Sequence, residues 1–188
     1  MWWWSDTRAL RREVLDSLTR LFGKLRLTVN LAKSAVDRAW NRPFLGFAFW
    51  AAKGGRVMVR IAAKSIAKMK VRVRLLTRRI CGRSLVQIAK ALRSYLLGWR
   101  EYFGLTETPR VLRDLDEWIR HRLRAIQLKH WKRGRTVYRE LVARGISSAK
   151  AAQVAANARS WWKNSAMALH IALPNSIFDG LGVPRLAS

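Results

Sequence analysis

From Ser84 to Phe103 the apolar residues recur at helical spacing. Leu85, Ile88, Leu92, Tyr95, Leu96, Trp99 and Phe103 fall on one face of a 3.6-residue repeat, with Lys90, Arg93 and Arg100 on the other side. Ser84 stands where an N-cap belongs, and Gln87 three residues on completes a capping box. Gly82 turns the chain before it, and Gly104 supplies a stop. Such a helix has one long stripe to bury, so it needs other helices to cover it.

The neighbouring stretches have the same period. From Ala62, residues Ile66, Met69, Val73, Leu76 and Ile80 step by three and four, while Lys64, Lys68, Arg72 and Arg79 share another face. Farther on, Thr108 caps a third helix with Pro109 in its first turn, and Gly134 ends it. Leu112, Leu115, Ile119, Leu123 and Ile126 form its stripe. Asp114, Asp116 and Glu117 near its start, and the cations toward its end, complement the helix dipole. Three such helices on short loops predict a small bundle.

The flanks are more varied. Asp6 to Phe22 predicts a helix with Leu10, Val14, Leu18 and Leu21 as its stripe, and Lys24–Val29 alternates as a strand does. Phe44–Trp50 and Val57–Ile61 surround Lys53-Gly54-Gly55, which predicts a β-hairpin, with Gly46 in mid-strand. Beyond Gly134, two short helices, Val137–Ala143 and Ser148–Ala158, join at Gly145. Trp161, Trp162 and Lys163 follow, then an apolar piece from Ala166 to Leu173 that Pro174 stops. The tail, with Phe178, Leu181 and Leu186, reads as an irregular strap. The fold class is therefore mainly α with a short β-hairpin. The organisation expected is residues 1–61, then residues 62–188 as a three-helix bundle with a small helical C-terminal region.

Charge points to the partner. The formal net charge is +27, and from Arg38 to Arg100 there is no Asp or Glu. That much charge repels itself in a compact state, so a polyanion is the simplest counterpart. Nucleic acid is favoured over an anionic membrane surface, because ten Trp lie among the cations and aromatic and guanidinium planes stack on bases. One cysteine, Cys81, excludes a disulfide framework. His121, His130 and His170 lack ligand neighbours at metal spacing, and His121 is expected on the basic surface. No phosphate loop and no activated nucleophile is present, and the scattered carboxylates suit no two-metal chemistry. No run reaches the length of a membrane span. The expectation is a soluble, cytoplasmic, bacterial-type protein with no cofactor and no catalytic residue of its own.

KLRLTVNLAKSAV followed by FLGFAF resembles the end of the palm in group II intron reverse transcriptases. Gly82 with Ser84, Leu97-Gly98-Trp99 and Tyr102-Phe103 resemble the thumb, or domain X, of the same family. So do Leu115, Asp116, Trp118, Ile119, Arg120, Arg122, Leu123 and Arg124. Trp131-Lys132, Trp162 with Ser165, Ala172-Leu173-Pro174-Asn175, Phe178 and Gly180-Leu181 continue the likeness. It implies that residues 1–61 are a palm remnant and 62–188 a maturase-specific domain. It also implies binding to intron RNA and to the backbone of a template–primer, including an RNA–DNA duplex. Lys33 matches the palm lysine that lies near the incoming nucleotide's phosphates. The family's polymerase centre needs paired aspartates, and this chain has no adjacent aspartates, so Mg²⁺ is expected only in a complete polymerase. The expected function is thus the RNA-binding maturase and thumb portion of a reverse transcriptase, a carboxyl-terminal fragment that is no enzyme alone. The alternatives are one half of a split polymerase, joined to a separate fingers–palm polypeptide, and a remnant without function.

The cations expected on phosphate are Lys64, Lys68, Arg72, Arg74, Arg78, Arg79, Arg83, Arg93, Arg100, Arg122, Arg124, Lys129, Lys132 and Arg133.

Overall fold

Helical period wins over most of the chain. The computed structural model describes residues 7–52, 54–78, 82–165 and 169–187. They divide into two units, Met1–Arg60 and Ile61–Ser188. Arg79, the predicted Ala166–Ala168 segment and Lys53 of the hairpin turn lie outside the described residues.

In the first unit, helix α1 spans Thr7–Lys24. Its stripe Leu10, Val14, Leu18 and Leu21 is exposed rather than buried. Residues 15, 18 and 22 form a shallow groove with Val29 and Val36, and exposed Lys33 lies along it. The strand expected at Lys24–Val29 does not form. Lys24 closes the helix, Arg26 takes a φ of 56°, and Leu25 N and Leu27 N donate back to the Phe22 carbonyl. Alternation alone makes no strand without a neighbouring chain to receive its hydrogen bonds.

The hairpin forms as two antiparallel strands, β1 (Phe47–Ala51) and β2 (Val57–Ile61). Gly54 and Gly55, at φ 89° and 80°, adopt turn conformations closed to most side chains. Gly46 is not in mid-strand. With Leu45 it makes a left-handed two-residue turn, closed by reciprocal bonds between Phe44 and Phe47 at 2.9 Å.

The second unit is built on three long helices: α2 (Ala63–Leu76), α3 (Leu85–Phe103) and α4 (Pro109–Trp131). The capping box forms as the spacing demands. Ser84 Oγ accepts from Gln87 N at 3.3 Å, and Ser84 N donates to Gln87 Oε1 at 2.9 Å. Met69 and Val73 of α2, then Ile88, Leu92, Leu96, Trp99 and Phe103 of α3, meet Leu115, Ile119, Leu123 and Ile126 of α4 in the core. Helix α3 packs on α2 and α4, and α4 also receives the smaller helices α5 (Gly134–Val142) and α7 (Trp161–Ser165). Helix α6 (Ser148–Ala156) lies against α5.

Both ends of α4 differ from expectation. Gly134 does not end α4; it opens α5, and a Cβ there would sit 2.9 Å from the Ala155 carbonyl oxygen of α6. The stop comes earlier, at Lys132. Its φ of 57° and ψ of −60° make a γ-turn, with Arg133 N donating to the Trp131 carbonyl at 2.7 Å. Thr108 is the N-cap of α4, but its hydroxyl pairs with Thr106 Oγ1 at 3.0 Å rather than with the helix. Gly145 does what a glycine after a helix should: at φ 81° it lets Ile146 N reach back to the Leu141 carbonyl.

The C-terminal tail is more ordered than an irregular strap. Helix α8 (Leu169–Ala172) precedes Pro174 and helix α9 (Asn175–Gly180) follows it; Phe178 of α9 is buried, as are Val183 and Leu186 beyond it.

Candidate nucleic-acid interface

Basic side chains in the second unit fall into two groups, one displayed and one used to hold the tail. The displayed group is on α2. Its buried arc runs through Met69 and Val73, so the opposite side carries Lys64, Lys68, Arg72 and Arg74, all exposed. None of these four forms an ion pair among the described residues. Val71 and Leu75 are exposed between them. Arg78 continues the line just past the helix, and Arg83 stands exposed before α3.

At one edge of this face the cations gather on an aromatic. Lys70 Nζ lies 5.8 Å, Arg74 Cζ 5.5 Å and Arg122 Cζ 5.3 Å from the ring centre of Trp118 on α4. Arg122 is fixed from below: its Nε donates to Thr77 Oγ1 at 2.8 Å and its Nη2 to the Thr77 carbonyl at 3.4 Å. Thr77 itself is fully buried.

The second group lies against the C-terminal tail, with Arg120 and Arg124 buried. Arg120 is 2% exposed; it donates to Asp116 at 3.0 Å and to Asp179 of α9 at 2.8 Å. Asp116 also accepts from Leu186 N and Ala187 N at 2.9–3.1 Å, and Arg185 closes the chain on Asp179 at 2.6 Å. Arg124 Nε donates to the Leu173 carbonyl at 2.9 Å and its Nη2 to Asn175 Oδ1 at 2.7 Å. Arg93 lies on Gly182, where a Cβ would stand 2.9 Å from its Nη1, and Arg100 Nη1 reaches the Arg185 carbonyl at 3.4 Å.

Residues 66–145, covering nearly all of α2 and the whole of α3, α4 and α5, match the family model of the group II intron maturase-specific domain. Over that span the chain is similar to a group II intron maturase-specific domain. No curated protein compared with the chain matches it.

Within the second unit, the expected phosphate contacts separate by environment. Lys64, Lys68 and Arg72 share one helix face, with Arg74 round the helix from Arg72 and Arg78 just past its end. Lys132 and Arg133 are exposed at the γ-turn after α4, and Lys129 lies 5.2 Å over Trp161. Arg124 is buried and both described bonds of its guanidinium hold the tail, so it is a packing residue. Arg93 and Arg100 also serve the tail. Lys70 and Trp118 were not singled out by charge pattern, although Lys70 and Arg74 stand four apart and so share a helix face.

Two further sequence expectations change. Asp114, Asp116 and Glu117 lie beyond the first turn of α4, and Asp116 is the anchor of the tail rather than a dipole complement. No group of three His, Cys, Asp or Glu able to hold a metal occurs among the described residues. No helix among them is long and apolar enough to cross a membrane.

His121 is not on the basic surface. It is half-buried against Trp162, ring centres 3.9 Å apart, and its Nε2 lies 2.7 Å from Ser165 Oγ. Ser165 Oγ donates to the Trp162 carbonyl at 2.7 Å, which leaves its oxygen to accept from the Nε2–H tautomer of His121. Burial holds the His121 pKa below its ordinary value; the Trp162 carbonyl opposes this, and the charge of Arg124 adds to it. The unfolded chain therefore binds the proton first, and stability should fall as pH drops below about 6.5 toward the folded pKa. Urea melts between neutral and mildly acidic pH should show this loss, and His121→Gln should flatten part of it. His130, also lowered by burial, supplies the remainder. An unchanged profile in His121→Gln would contradict the assignment.

Proposed function

We propose that the chain binds structured RNA through the outer face of α2 and assists the folding of a group II intron into its splicing-competent form. The observation that carries this reading is the placement of Lys64, Lys68, Arg72 and Arg74. They stand exposed on one helix, within a sequence run free of Asp and Glu, and three of them fall inside the matched region that begins at Ile66. Phosphate contacts from such cations supply affinity that is independent of sequence and strongly dependent on salt. Shape and single-stranded features of the RNA then supply preference.

Polymerase chemistry forms no part of the proposal, because a two-metal centre needs paired carboxylates and the sequence has no adjacent aspartates. The direct experiment is splicing of a group II intron RNA at a magnesium concentration too low for it to splice alone. Adding the chain should raise the spliced fraction. A fraction unchanged at saturating protein would remove the maturase reading.

A further inference from the structure

We propose that the corner between α2 and Trp118 of α4 is a preformed seat for one backbone phosphate of an RNA strand. The proposal rests on the RNA-binding reading and deepens it. Lys70, Arg74 and Arg122 bring three positive charges within 6 Å of a single indole ring. Like charges so close repel one another. The ring offsets part of that repulsion through its quadrupole, and neither Lys70 nor Arg74 makes an ion pair among the described residues. A surface that only had to be soluble has no need to gather them.

The corner is also rigid in a way the rest of the α2 face is not. Arg122 is tied by two bonds to Thr77, a residue with no exposure, and Thr77 Oγ1 donates in turn to the Val73 carbonyl of the core. Trp118 is half-buried on α4, so the platform under the cations belongs to the packed bundle. Lys64, Lys68 and Arg72 extend freely from their helix and must be ordered when they bind. Arg122 is held beforehand, and Lys70 and Arg74 rest against the ring, which lowers the entropy lost on binding. The anion that fits is a phosphodiester, with Lys70 and Arg74 donating to its free oxygens. Arg122, its Nε and Nη2 engaged by Thr77, contributes mainly charge.

The experiment is filter binding of the full chain to a group II intron RNA at about 0.1 M salt, with three sets of variants. Lys70→Gln with Arg74→Gln removes two contacts and should weaken binding about 10- to 100-fold. Arg122→Lys keeps the charge but loses the fork to Thr77, and should weaken binding roughly fivefold. Generic charge attraction predicts no loss for that swap. Lys64→Gln with Lys68→Gln serves as the comparison set. If Arg122→Lys and Lys70→Gln with Arg74→Gln both bind within about twofold of the native chain while the comparison set loses affinity, the cluster is packing only. The phosphate seat is then overturned and the RNA-binding reading stands. If the native chain itself shows no salt-dependent binding, both fall together.

Discussion

Replacing Arg120 by alanine is expected to destabilise the domain by about 3–5 kcal/mol, the largest effect of any single substitution considered. The side chain is 2% exposed and its guanidinium spans two carboxylates, Asp116 and Asp179, that lie 63 residues apart in sequence. Removing it leaves two acids facing each other with much less compensation. Asp116 keeps the amides of Leu186 and Ala187, and Asp179 keeps Arg185, but neither pairing replaces the charge between them. Arg120→Met, which restores bulk without charge, should recover little. Arg185→Ala is the control: that side chain is mostly exposed, so its loss should cost far less than that of Arg120. Urea denaturation read by far-ultraviolet circular dichroism measures all three. A cost for Arg120→Ala no larger than that for Arg185→Ala would contradict the clamp.

The same cluster gives the sign of the acid response. Burial pushes the Asp179 carboxyl up, but hydrogen bonds from Arg185 and Arg120 outweigh it and leave its pKa below the ordinary value. A lowered carboxylate stabilises the fold above its unfolded pKa, near 4, and that stability is lost as pH falls through the folded pKa. The tail should therefore loosen at a lower pH than that at which His121 begins to titrate.

The second large effect is on binding. Lys64→Gln, Lys68→Gln and Arg72→Gln combined should weaken binding to structured RNA on the order of 10²-fold near 0.1 M salt. Three lost phosphate contacts, each worth 0.7–0.9 of a unit in the log–log slope, give roughly that factor. All three side chains are exposed on α2, away from Met69 and Val73, so the variant should keep its fold and melting temperature. A loss of less than about threefold, with the melt unchanged, would place the RNA elsewhere.

How much of this was legible in the sequence depends on how local the cause is. The α3 helix was legible because its cap, stripe and stop all lie within twenty residues of each other. The hairpin was legible because Gly54 and Gly55 occupy backbone conformations that few other residues enter. The supposed strand at Lys24–Val29 failed for the opposite reason: a strand depends on a partner, which alternation cannot supply. The end of α4 was misplaced because a lysine, not the nearby glycine, takes the positive φ. The basic surface was half legible. Net charge and the carboxylate-free run point to a polyanion, but an arginine's letter does not say which way it points. Arg124, Arg93 and Arg100 read like Lys64 and Lys68 in sequence, yet the tail they hold begins some fifty residues or more beyond them in the chain. The Asp116–Arg120 clamp shows only an i, i+4 pair in sequence, because its other half is in α9 and the last residues.

The measurement that bears most directly on the account is the salt dependence of binding to a group II intron RNA, with transfer RNA as competitor. Four phosphate contacts from the α2 face predict a log–log slope of roughly −3, falling toward −1 when Lys64, Lys68 and Arg72 are replaced. A native slope near zero, or one that the three replacements leave unchanged, would contradict the claim that α2 grips the RNA backbone.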